Sequence, residues 1–92
     1  MKYYHIEIRC DCSNGTYGNT VLTEEEGTVM PNNSSHFPNN GGFFEVDNYF
    51  PTYKEARAFL ENDYHQHLNN RPKNTNITFR DEVKGDILNY SG

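Results

Sequence analysis

Residues 50–68 read FPTYKEARAFLENDYHQHL, and they decide the fold because their spacing and end signals name one element. Thr52 followed three residues later by Glu55 is a capping box: the hydroxyl accepts from the Glu55 N–H while the carboxylate reaches back to the Thr52 N–H. Pro51 fixes the backbone entering that cap. Ala56, Phe59, Leu60, Tyr64 and Leu68 then recur at spacings of three and four, which draws one apolar stripe along a helix. Glu61 to His65 and Asp63 to His67 are four apart and support the solvent side. Asn69-Asn70-Arg71-Pro72 ends the helix, since asparagine tolerates a left-handed cap and the residue before proline is pushed out of helical space. A lone amphipathic helix of about 16 residues is marginal in water. The stripe therefore needs a sheet, which the rest of the chain must supply.

The flanking segments read as strands. In Tyr3 to Cys10 the residues Tyr4, Ile6, Ile8 and Cys10 face one way, and Tyr3, His5, Glu7 and Arg9 the other. Asn14-Gly15 is a strong hairpin signal, because both central residues of a type I′ turn need positive φ. A second strand returns through Tyr17 to Thr23, with Gly18-Asn19 leaving its register open to a bulge. Glu24-Glu25-Glu26-Gly27 reads as a charged turn, and Thr28-Val29-Met30 as an optional third strand. Residues 31–42 keep neither period and read as a long loop around His36-Phe37, of the kind that is often functional or disordered. Phe43 to Asn48 is a strand with Phe44 and Val46 inward. A last strand runs from Asn74 to Lys84, with Ile77, Phe79 and Val83 on one face and Asp81 breaking the pattern. Ile87, Leu88 and Tyr90 form a terminal apolar patch that is expected to fold back as a short strand or turn. The expected fold is α+β in one domain: an antiparallel sheet of four to five strands, in the order ββ(β)βαβ, with one helix across one face.

Ninety-two residues give one modest core. Seven tyrosines and six phenylalanines make that core aromatic. A net charge of −5 argues against holding nucleic acid by phosphate neutralisation and suits a basic protein partner. No segment approaches the roughly 20 apolar residues of a membrane span, and Met1 to His5 lacks the apolar run of a signal peptide. Cys10 and Cys12 are too few and too close for a secreted disulfide framework. The expected compartment is the cytoplasm.

Four constellations bear on chemistry. Cys10, Cys12, His65 and His67 hold the donor types of a zinc site. Two residues two apart on a helix point about 200° apart, so both histidines cannot reach one metal, and a core cysteine is the plainer reading. A Cys12 nucleophile lacks a readable base and oxyanion donors. Gly41-Gly42 precedes a strand, so it is not a phosphate loop. Glu24, Glu25 and Glu26, with Glu45, Asp47, Glu55, Glu61 and Asp63 elsewhere, offer a negative surface to a basic groove, although a charged turn and solvated faces are the plainer reading.

The expectation is thus a non-enzymatic, cofactor-free binding module. It would block a partner's surface sterically and electrostatically through Glu24, Glu25, Glu26, His36, Phe37, Tyr49 and Phe50, because aromatic residues are favoured at interface centres. Inhibitors encoded by phages or other mobile elements, of the anti-CRISPR kind, share this size, this acidity and the lack of catalytic motifs. That likeness is analogy from size and charge. A sheet-based nucleic-acid reader and a small Cys/His metal protein are the alternatives, and an exposed sheet edge leaves pairing with a twin open.

Overall fold

The computed structural model describes residues 1–11, 17–37, 43–70 and 76–88. Six strands and one helix follow each other as β1 (Lys2–Asp11), β2 (Tyr17–Glu26), β3 (Ser34–His36), β4 (Phe43–Phe50), α1 (Tyr53–Asn70), β5 (Asn76–Asp81) and β6 (Asp86–Leu88). They make one sheet in the order β3-β4-β1-β2-β5-β6. The chain is therefore α+β with a helix on a mostly antiparallel sheet, but the sheet has six strands and is mixed.

The β2–β5 pair is parallel, against the all-antiparallel expectation. The helix is the reason. Its 18 residues span about 27 Å and carry the chain back along the sheet, so β5 starts at the same end as β4. Strands joined by such a crossover run parallel, and β1 and β2 lie between them.

The capping box forms as the sequence implies, with one change of partner. The Glu55 N–H donates to Thr52 Oγ1 at 3.2 Å, and the Thr52 hydroxyl itself donates to Glu55 Oε2 at 2.9 Å. The reciprocal arm thus ends on the hydroxyl and not on the backbone N–H. Ala56 and Leu60 are fully buried, and Phe59 and Tyr64 pack beside them. On the sheet side they meet Ile6, Leu22 and Phe79, which share the helix-facing side with Tyr4, Ile8, Val46 and Phe50. Glu61 turns back to Arg57 at 2.6 Å, and the helix continues through Asn70.

Three local readings change. Glu24–Glu26 is the end of β2 and no turn, because Lys2, Tyr3 and Tyr4 pair with it rung for rung. Residues 28–30 form no strand. The third strand lies at Ser34–His36, inside the expected loop, after residues 27–33 carry the chain past the ends of β1 and β4. Hydrogen bonds fix both ends of that passage: Gly27 N–H to the Met1 carbonyl at 3.0 Å and Tyr49 N–H to the Asn33 side-chain oxygen at 2.7 Å.

The last expected strand stops at Asp81 as β5 and its remainder forms a turn, after which Asp86–Leu88 folds back on β5 as the short strand β6, where the terminal apolar patch was expected to fold back. Asp81 is the cause. It is 1% exposed, and its carboxylate accepts from the Val83 and Lys84 N–H groups at 2.9 and 3.0 Å, which holds the turn. Gly85 closes it at φ +75°, a left-handed conformation that glycine adopts without strain. Val83 still reaches the core, from the turn and not from a strand. The Asn14-Gly15 turn, Cys12, Gly41-Gly42, Arg71-Pro72 and Tyr90 lie outside the described residues, as do the side chains of His67, Leu68 and Ile77.

Candidate docking face

Strand alternation places Tyr3, His5, Glu7 and Arg9 of β1 on the side of the sheet away from α1. Register adds Val21, Thr23 and Glu25 from β2, and Glu45, Asp47 and Tyr49 from β4. Among the described residues no helix covers this face, and its centre is polar and linked by hydrogen bonds and ion pairs.

His5 is the hub. Its Nδ1 lies 2.5 Å from Glu25 Oε2 and its Nε2 lies 2.8 Å from Asp47 Oδ1, so one ring joins β2 to β4 across β1. The Tyr49 ring stacks on it at 4.4 Å and 14°, and Tyr3 meets Tyr49 edge-on at 5.9 Å. Tyr3 is buried although no helix covers it, since Tyr49 and the Gly27 region close around it. Arg9 is the second hub, reaching Glu7 at 3.0 Å, Asp47 at 3.2 Å and Glu45 at 3.4 Å. It also donates to the Ile8 and Val46 carbonyls, which fixes the guanidinium flat on the strands.

Electrostatics follow from these contacts. Burial pushes the Asp47 carboxyl up, but hydrogen bonds from His5 and Arg9 and the Arg9 charge outweigh it and hold the group below its ordinary value. Burial, and after it the Asp47 and Glu25 charges, push the Tyr49 phenol up. Among the described side chains of β1, β2 and β4 the face carries four carboxylates, Glu7, Glu25, Glu45 and Asp47, against Arg9 and His5. It remains net negative with the ring charged.

The seven expected contact residues do not form one patch. Glu25 and Tyr49 come together through His5. His36 sits on the same side, opposite Glu45, at the β3 margin. Glu24, Glu26 and Phe50 fall on the helix side by register, where Tyr4 donates to Glu24 at 3.1 Å. Phe37 is 60% exposed and stacks on Phe44 at 5.3 Å. Three strand spacings and six rungs separate His36 from Glu25, roughly 25 Å. A blocking surface drawn from the glutamate triplet and the loop together is thus split between two sides and two corners.

Sequence reasoning missed His5, Glu7 and Arg9 as site residues. The alternation of β1 already put all three on its outer side. What was lacking was the identity of the neighbouring strands, which decides whose carboxylates meet His5 and Arg9.

Of the zinc donor set, Cys10 is half-buried on β1 and His65 is exposed on α1. Among the described residues no three His, Cys, Asp or Glu side chains are grouped to hold a metal ion. No helix among them is long and apolar enough to cross a membrane. Comparisons with protein-family models, with curated proteins and with solved structures found no match.

Proposed function

We propose that this chain is a small acidic protein-binding module that blocks a basic surface of its partner sterically and electrostatically. The observation that carries the reading is the uncovered face, where four carboxylates surround the Tyr3–Tyr49 pair and the His5 ring. The half-buried Tyr49 ring, seated on the buried Tyr3, offers aromatic contact area, and the acids steer a cationic partner and fix its orientation. Glu25, His36 and Tyr49 belong to this contact surface, and Glu7, Glu45 and Asp47 extend it. A host protein that binds nucleic acid through a basic groove has the complementary charge, which is the setting of a phage or mobile-element inhibitor of the anti-CRISPR kind.

The test is capture from an extract of the native host by the unaltered chain and by a Glu7→Lys, Glu45→Lys variant. A stoichiometric protein held by the first, lost on the second and released by salt supports the reading. Capture that is indifferent to both changes removes the face from the mechanism. Tight, salt-sensitive binding of random duplex DNA by the purified chain would favour a nucleic-acid reader instead. That alternative has the four carboxylates against it, since they would meet phosphates.

A further inference from the structure

We infer that the contact of His5 with Glu25 and Asp47 is a proton-operated tie that sets how much free negative charge the docking face presents; this rests on the proposed binding role of that face. Both ring nitrogens point at carboxylate oxygens, at 2.5 and 2.8 Å, and a carboxylate offers no proton in return. Both contacts are hydrogen bonds only when the ring carries two N–H groups, the imidazolium. A neutral ring turns a lone pair toward one of the two oxygens. One tie then breaks.

Geometry selects which. Asp47 is short and 21% exposed at its side chain, and its Oδ1 is also held by Arg9 at 3.2 Å. It has nowhere to go. Glu25 is longer and 37% exposed, and its other contact is the Thr23 hydroxyl, which donates from 3.4 Å. It can swing into water at little cost. The Nδ1 proton therefore leaves to solvent, the Nε2–H stays on Asp47, and the Glu25 carboxylate is released.

The titratable and charged groups that face the ring come from all three strands around it. From β1 these are Tyr3, Glu7 and Arg9, from β2 Glu25, and from β4 Asp47 and Tyr49, with Glu45 behind Arg9. Arg9 remains to neutralise Asp47 and Glu45 after the ring has lost its charge. Glu25 has no second cation among the described side chains around the ring. The face gains one unit of negative charge and one mobile carboxylate, placed beside Tyr49. A basic partner should then be held more tightly on the alkaline side of the transition.

NMR of the free, isotopically labelled protein tests the tie without any partner, in a pH series followed until the ring has lost its charge. At the acid end two His5 ring N–H resonances are expected, coupled through their hydrogen bonds to Glu25 and Asp47. At the alkaline end the Nδ1–H resonance is lost and the Nε2–H resonance stays, while the Glu25 carboxyl carbon moves toward a solvated value and that of Asp47 holds. A single ring N–H at both ends, loss of the Nε2–H instead, or movement of Asp47 in place of Glu25 would overturn the inference. Because these signals need no partner, failure to capture a host protein leaves the tie standing and removes only the binding role.

Discussion

Asp81 ties the end of β5 to the helix and to the turn that follows it. Its side chain is fully buried, and besides two turn N–H groups it accepts the Tyr53 hydroxyl at 2.5 Å and Arg57 Nη1 at 2.6 Å. Arg57 is held in place by Glu61 and Asp86, and the Glu61 hydrogen bond, with that to Asp81, outweighs the opposing effect of burial and pushes its guanidinium further up. Removing one member of a buried pair leaves the other uncompensated, so Asp81→Ala should cost about 3 kcal/mol in urea unfolding. The pH dependence has a definite sign. Burial raises the Asp81 carboxyl, but the hydrogen bonds from Tyr53, Lys84, Arg57 and Val83 more than reverse that, and the folded value lies below the ordinary 3.8. The unfolded chain therefore binds the proton first, and the contributions of Asp81 and Asp47 are present above pH 3.8 and lost as pH falls below it. An acid limb that Asp81→Asn leaves untouched would contradict this. At the other extreme, burial and then the Asp81 bond push the Tyr53 phenol up from 10.0 to about 12. Stability should fall as pH climbs through that interval, with Tyr53 ionising near its upper end in an ultraviolet titration, and Tyr53→Phe should abolish this part of the loss. None of this was legible in the sequence. An aspartate among Ile77, Phe79 and Val83 reads as a broken period, and only the fold brings Tyr53 and Arg57 to it from a helix 24 residues away or more.

Elements divide by whether their signals are local. The helix was readable because Thr52, Glu55 and the Ala56–Leu60–Tyr64 stripe all act within a few residues. Two substitutions separate its two sources of stability. Thr52→Ala removes the cap and should cost about 1 kcal/mol, whereas Leu60→Ala opens the interface with the sheet and should cost about 3 kcal/mol. Equal losses in thermal or urea unfolding would mean that the helix is held by its end and not by its face. The β1 alternation was readable for the same reason, and β2 continues without the bulge that Gly18-Asn19 suggested. Gly18 has a different role. A Cβ there would lie 2.8 Å from the Arg9 carbonyl oxygen, a backbone atom that cannot rotate away. Gly18→Ala should accordingly destabilise the protein by about 2 kcal/mol. Amide exchange should show the loss first in the β1–β2 ladder near Arg9 and Cys10, and unchanged exchange there would rule out the clash. β3 escaped detection because Ser34, Ser35 and His36 are all exposed, so no inside-outside contrast marks them as a strand.

For the whole molecule, the decisive feature is a pairing between segments far apart in sequence. β3, β4 and α1 lie between β2 and β5 in the chain, and across the parallel pair Asn19 accepts the Thr78 hydroxyl at 2.5 Å over a separation of 59 residues. Sequence periodicity gives faces, not neighbours, which is why a parallel junction could not be read in advance. Non-local topology slows folding, because chain closure must precede the contacts that reward it. Refolding followed by stopped-flow fluorescence of the tyrosines should therefore take milliseconds to seconds, and a microsecond phase accounting for the full amplitude would be inconsistent with this order of strands. The asymmetry of the two layers has a further consequence. Ile6, Leu22, Ala56, Leu60 and Phe79 all commit to the helix side. A lineage carrying this fold is thus at liberty to rewrite much of the opposite surface, and to change what it recognises, without having to solve its folding problem again.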